Sequence, residues 1–134
     1  MMNQPYNQLV LQHFHQPQHV GAWPSSQTNV ATGRAGVYGV GDVVQIQCCY
    51  TDDSVVKDAC FKAYGNPFTI AAASFATTQL MGKTMDEASN LDHKFFINAL
   101  AIPQVKWHCA ILIEDAINAV VNACKQREVG ESYV

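Results

Sequence analysis

The chain is poor in charge and has no run of basic residues. Charged side chains make up 14% of its 134 residues, and the formal net charge is -3. A nucleic-acid surface needs clustered lysine and arginine, usually with aromatic residues between them. The chain also has no apolar run of the roughly 20 residues that a membrane span requires. We therefore expect neither nucleic acid nor a membrane as a partner.

Cysteines paired at short spacing are also missing. The five cysteines are Cys48, Cys49, Cys60, Cys109 and Cys124, without a CxxC motif. An odd number of cysteines, two of them adjacent, argues against a disulfide framework and predicts reduced thiols. Zinc fingers need pairs of ligands at short spacing, so this class is not supported.

The N-terminal stretch, residues 1–18, is rich in Gln, Asn and His. It lacks the basic and apolar regions of a targeting segment. Together with reduced thiols, this composition predicts a cytoplasmic protein.

Length and periodicity predict one domain over residues 1–134, with a core of about 6–127. Apolar and polar residues alternate in 43–51 and 55–64, which predicts a hairpin around a turn at 52–54. A short glycine-rich strand is expected within 29–41. Helical spacing predicts helices at residues 5–15, 67–81, 85–90, 92–100 and 108–128. Strands followed by helices indicate an α+β domain: a small three-stranded antiparallel sheet with helices packed on one face.

Local chemistry predicts roles for several side chains. Asn66 before Pro67 is typical of a helix N-cap. By strand period Cys60 lies on the polar side and is expected to be a surface thiol, whereas Cys48 and Cys124 are expected in the core. Residues His13, His15 and His19 invite a metal site, but Pro17 lies between the last two, and we interpret all three as solvated.

Five short segments can be compared with known families by their order and spacing along the chain. They are residues 19–21 (H-V-G), 41–43 (G-D-V), 58–65 (D-A-C-F-K-A-Y-G), 82–88 (G-K-T-M-D-E-A) and 105–112 (V-K-W-H-C-A-I-L). With the helix before them, they span residues 6–125. Their order and spacing resemble the iron–sulfur cluster assembly scaffold family of the IscU and NifU N-terminal type. The resemblance implies that family's fold and a scaffold role rather than an enzyme activity.

The resemblance also implies a metal site that has been altered. Asp42, His108 and Cys109 match ligand positions of the family, whereas Val40 and Asn66 stand where the family has its first two ligand cysteines. Clusters need soft thiolate ligands, usually four. The remaining oxygen, nitrogen and sulfur set suits one Zn²⁺ or Fe²⁺ with an open position and does not suit a stable [2Fe–2S] cluster within one chain.

Two chains could instead share a cluster, with Cys109 and His108 from each, so a homodimer stays open, as does a site without metal. Cys109 also lies near the start of a predicted helix, where free N–H groups lower a thiol pKa and favour thiolate. The resemblance implies that Cys109 binds metal or accepts sulfur, and this helix-start chemistry supports that prediction. Asp42 has an alternative role, because an aspartate beside a glycine-rich turn commonly caps local backbone N–H groups.

The resemblance implies partners as well. A cysteine desulfurase would supply sulfur, and an Hsp70-class chaperone with its co-chaperone would dock on an extended segment. That segment comprises Ile102, Pro103, Gln104, Val105 and Lys106. Two other functions stay open. One is a pseudo-scaffold adaptor or regulator that binds desulfurase or chaperone without building a cluster, and the other is a mononuclear Zn- or Fe-binding protein.

Overall fold

Three consecutive strands form one antiparallel sheet in the order β1–β2–β3. The computed structural model describes residues 6–24, 26–36 and 41–132, with side chains to residue 127. The strands are β1 (Val30–Gly36), β2 (Val43–Tyr50) and β3 (Val56–Tyr64). The hairpin predicted from alternation is confirmed, as is a strand within the glycine-rich segment. Residues 37–40 of that segment lie outside the described residues.

Five α-helices are described, and the longest two pack directly on the sheet. They are α1 (Gln8–His15), α2 (Pro67–Leu80), α3 (Met85–Ala88), α4 (His93–Leu100) and α5 (Trp107–Ser132). α5 lies against β1 and β2, α2 lies against β3, and α1 packs on α2. The predicted α+β class and its one helical face are confirmed.

Helix boundaries follow from their caps. α1 begins three residues later than predicted, at Gln8, because the Asn7 side chain accepts a hydrogen bond from the N–H of Val10. Asn66 caps α2 as expected, with Pro67 in the first turn. Thr84 and Glu87 form a reciprocal capping box at α3. α5 starts one residue early and is directly preceded by a 3-10 turn, Gln104–Lys106.

The helix-facing side of the sheet forms the core. Val44, Ile46 and Cys48 are fully buried there, and Cys124 is buried on α5. The predictions for both core cysteines are therefore confirmed, and none of the five cysteines forms a disulfide. At Gly33 on β1 a side chain is not tolerated, because a Cβ atom would collide with the backbone of α5. This close approach brings the long helix onto the sheet.

The opposite side of the sheet is also partly covered, which corrects the prediction for Cys60. Gln47, its cross-strand neighbour, exchanges two hydrogen bonds with the backbone of Trp23, at 2.8 and 3.1 Å. Cys60 is consequently 7% exposed and donates to Gln47 Oε1. Burial raises the pKa of Cys60 to about 11, with Asp58 contributing. It is a buried thiol, not a surface one.

A second correction concerns His13. Its ring is 6% exposed, and Nδ1 lies 2.7 Å from Ser74 Oγ on α2. His15 and His19 are exposed as predicted, and His19 Nδ1 lies 3.0 Å from Thr77 Oγ1. In the described residues, no helix is sufficiently long and apolar to cross a membrane.

Candidate metal centre

One group of potential metal ligands occurs in the described part of the chain, and it consists of Asp42, His108 and Cys109. Asp42 directly precedes β2, and the other two residues lie in the first turn of α5. The three residues predicted as a site are thus brought together by the packing of α5 against the sheet. Val40 lies outside the described residues.

The three ligand atoms form a nearly equilateral triangle. Cys109 Sγ lies 3.7 Å from Asp42 Oδ2 and 3.6 Å from His108 Nε2. His108 Nε2 lies 3.7 Å from Asp42 Oδ2. A tetrahedral ion bound at about 2.0–2.3 Å needs ligand atoms about 3.3–3.8 Å apart. The triangle therefore fits one face of a tetrahedral site and leaves the fourth position to an external ligand.

Solvent reaches the three ligands unequally. The side chain of His108 is 60% exposed and that of Asp42 15%. Cys109 has no exposed surface. An incoming ion would therefore meet the imidazole first and the sulfur last.

The surroundings of Cys109 shift its pKa in the direction opposite to the prediction. Burial raises the pKa of this thiol, and the nearby Asp42 carboxylate adds to the rise. Hydrogen bonds from Thr69 and Asn66 oppose it only in part. The helical turn already begins at Gln104, so the free N–H groups of the helix start lie upstream of Cys109. The prediction of a lowered pKa is wrong.

Asn66, one of the two positions at which the resemblance predicts a lost ligand cysteine, lies beside Asp42 and Cys109. Its Nδ2 donates to Asp42 Oδ2 at 2.9 Å and to Cys109 Sγ at 3.1 Å. Its Oδ1 accepts from the N–H of Phe68 at the start of α2. Asp42 also accepts from the backbone N–H of Asn66. That N–H lies 24 positions away in the sequence, so this bond is not the local turn cap of the alternative role, which stays a prediction.

Thr69 was missed in the sequence analysis. It is fully buried, and its hydroxyl donates to Asp42 Oδ2 at 2.9 Å. A threonine three residues after an N-cap, in an otherwise apolar helix start, was the available signal. Gly65 completes the surroundings, because a Cβ atom there would collide with the Asp42 carboxylate.

The segment from Ile102 to Lys106 directly precedes α5, with Trp107 between it and His108. Pro103 keeps the predicted extended backbone, whereas Gln104 to Lys106 form the 3-10 turn. Prediction of a fully extended segment is therefore wrong, because the turn continues into the helix that follows. Ile102 is buried and accepts a hydrogen bond from Trp107 Nε1, whereas Val105 is 79% exposed.

Comparison with known proteins gives a consistent result. The family profile described as "NifU-like N terminal domain" matches residues 5–131. The iron-sulfur cluster assembly scaffold protein IscU of Buchnera aphidicola (subsp. Acyrthosiphon pisum) is 36% identical over 124 residues, covering 92% of this chain and 98% of its own. The protein of the same name from Escherichia coli K12 is 36% identical over 122 residues, covering 91% and 95%.

A solved structure agrees in fold. The N-terminal part of a nitrogen-fixing NifU-like protein from Brucella abortus has a TM-score of 0.58 and 18% identity. The match covers 92% of this chain and 94% of the other. At that identity the similarity shows a shared fold alone.

Proposed function

Because the chain belongs to the family of NifU-like N-terminal domains, we propose that it serves as a scaffold in iron–sulfur cluster assembly and not as an enzyme. Asp42, His108 and Cys109 are the proposed ligands for the iron that the scaffold receives as cargo. The triangle of ligand atoms 3.6–3.7 Å apart is the observation that supports this assignment most.

The chemistry of the three donors suits this cargo. A carboxylate oxygen, an imidazole nitrogen and a sulfur bind Fe²⁺ or Zn²⁺, and the open fourth position admits a further ligand. On a scaffold that ligand would be sulfide or a persulfide sulfur delivered by a partner. The two alternatives, an adaptor without a cluster and a mononuclear metal protein, gain no support from the relatives, whose names are those of assembly scaffolds.

Burial of Cys109 hinders the binding of one cluster by two chains. Its sulfur has no exposed surface, so a second chain reaches it only after the covering side chains move. We therefore propose that the three ligands of one chain bind iron first, and that sharing between two chains in a homodimer is a later step.

The proposed partners are a cysteine desulfurase, an Hsp70-class chaperone and its co-chaperone, in the cytoplasm. The exposed Val105 on the turn before His108 supports a docking role for that segment, since a partner bound there would lie beside the ligands. Five cysteines without a disulfide suit a reducing compartment.

Anaerobic reconstitution tests the proposal. Purified protein is incubated with Fe²⁺, cysteine, a desulfurase and dithiothreitol, which reduces the persulfide sulfur to sulfide. The sulfide-to-iron absorption and acid-labile sulfide are then measured. We expect both signals in the native chain, and their loss in Cys109→Ser. Cys49→Ser is the matched control, because Cys49 is a partly exposed thiol on β2 outside the ligand group.

The outcomes separate the alternatives. Cluster formation that persists in Cys109→Ser would remove the proposed ligand set. Desulfurase binding without any cluster in the native chain would favour the adaptor, and a single bound ion without labile sulfide would favour the mononuclear protein.

A further inference from the structure

Asn66 and Thr69 lie outside the ligand group and donate hydrogen bonds to two of its members, Asp42 and Cys109. Asn66 Nδ2 donates one hydrogen to Asp42 Oδ2 and the other to Cys109 Sγ, at 2.9 and 3.1 Å. The Thr69 hydroxyl donates to the same carboxylate oxygen at 2.9 Å. We call Asn66 and Thr69 the donor bracket. Three hydrogens thus point at the two ligand atoms that lie deepest in the site.

The orientation of the Asn66 amide follows from chemistry on its other side. Its Oδ1 accepts the backbone N–H of Phe68 at 2.9 Å and that of Thr69 at 3.4 Å. A flipped amide would place two hydrogens against those N–H groups and its oxygen against the Asp42 carboxylate, losing every one of these bonds. The two N–H donors therefore face the ligands.

The bracket also stands on a rigid element. Both residues belong to the start of α2, where Asn66 is the N-cap and Thr69 is fully buried. Asp42 and Cys109 come from two other elements, the start of β2 and the start of α5. Cys109 Sγ also donates directly to Asp42 Oδ2 at 3.7 Å, and the bracket ties this pair to a third element.

We propose that Asn66 and Thr69 are positioning residues that hold Asp42 and Cys109 at ligand spacing before a metal ion arrives. This inference rests on the proposed function of the site. When Cys109 loses its proton to bind a metal ion, its thiolate and the buried Asp42 carboxylate repel each other, and the hydrogen-bond donors of Asn66 and Thr69 offset that repulsion. Hydrogen-bond partners of metal ligands typically contribute about 10–100-fold to metal affinity.

Substitutions can separate positioning from folding. Thr69→Val keeps the shape but removes the hydroxyl, and Thr69→Ser restores it. Asn66→Ser keeps an N-cap oxygen for α2 but lacks the amide hydrogens. Thr77→Val is the matched control, because Thr77 is equally buried on α2 and its hydroxyl donates to the Ser74 carbonyl, away from the ligands.

The experiment is a Co²⁺ titration of each full-length variant at one fixed pH, followed by the sulfur-to-cobalt charge-transfer absorption. We expect Thr69→Val and Asn66→Ser to bind roughly 10–100-fold more weakly than the native chain. Thr69→Ser and Thr77→Val should bind like the native chain.

Equal affinity across all variants, with a clear sulfur–cobalt band in the native chain, would overturn the bracket and leave the proposed ligands intact. Weakening in Thr77→Val as large as in Thr69→Val would also overturn it, since general destabilisation would then be the cause. A native chain without the band would overturn the ligand assignment itself, and the bracket with it.

Discussion

Replacement of Asn66 by cysteine should exchange a helix cap for a fourth metal ligand. The Asn66 side chain ends 2.9 Å from Asp42 Oδ2 and 3.1 Å from Cys109 Sγ. A cysteine sulfur would take the place of the Asn66 Cγ atom, one bond short of the present Nδ2. It would therefore lie beside two of the three ligands, while the hydrogen bonds that cap α2 would be lost.

The two effects have opposite signs and comparable sizes. Loss of an N-cap costs about 1 kcal/mol of unfolding free energy, which corresponds to roughly 4 °C in the melting temperature. Asn66→Ala should show the same loss without metal. An added ligand that contributes a net ~1.4 kcal/mol tightens Kd tenfold, and we expect at least that from a second thiolate. At 100 times its own Kd, the metal stabilises the folded state by about 2.7 kcal/mol.

Urea unfolding with chelator and with buffered Zn²⁺ measures both quantities. With chelator, Asn66→Cys and Asn66→Ala should be equally destabilised relative to the native chain. With Zn²⁺, Asn66→Cys should recover more than it lost, and Asn66→Ala should not. If Asn66→Cys gains no affinity over Asn66→Ala, position 66 does not face the ligands. If Asn66→Cys is as stable as the native chain with chelator, the Asn66 hydrogen bonds contribute nothing to the free energy of unfolding.

Two further predictions concern the fold. Burial lowers the pKa of His13 below 6.5, so the unfolded chain takes up the proton first as pH falls. The free energy of unfolding should therefore decrease from pH 7 to pH 5. His13→Asn, which keeps a partner for Ser74, should flatten this decrease in urea unfolding. An unchanged slope would contradict it. In Gly33→Ala the new Cβ would meet the Ala116 carbonyl and the Val120 nitrogen, both backbone atoms that no rotamer change can move. We expect a loss of at least about 1–3 kcal/mol in thermal unfolding, and a loss below about 0.5 kcal/mol would show that α5 can shift on the sheet.

Local signals in the sequence were sufficient for most of the fold. The alternation in 43–51 and 55–64 depends only on the two-residue period of a strand, and the Asn66–Pro67 cap depends only on neighbouring residues. Both were predicted correctly. Cys60 and His13 were misplaced because the groups that bury them are distant in sequence. Trp23 lies 24 positions before the Gln47 that it covers, and Ser74 lies 61 positions after His13.

The candidate site shows the same division. Asp42, His108 and Cys109 were identified through their motifs, and the fold brings them within ligand spacing. The sequence could not reveal that Asn66 joins two of them, because that role depends on three elements meeting at one point. The acidity of Cys109 was predicted with the wrong sign for a related reason: burial depends on tertiary packing, whereas the helix start is visible in the sequence.

Asn66 connects the stability of α2 to the arrangement of the ligands. Its amide is planar and rigid, so Oδ1 on the helix and Nδ2 on the ligands cannot move independently. A rearrangement that turns this amide away from Asp42 and Cys109 also removes the helix cap, at a cost of about 1 kcal/mol. That cost alone favours the arrangement in which the amide faces Asp42 and Cys109 roughly fivefold over the arrangement in which it is turned away. A cysteine at the same position would make no such connection, because a thiol is a weak acceptor for backbone N–H groups. If position 66 once held a ligand cysteine, as the resemblance implies, the amide offers a weaker metal donor there and, by our proposal, holds Asp42 and Cys109 in place.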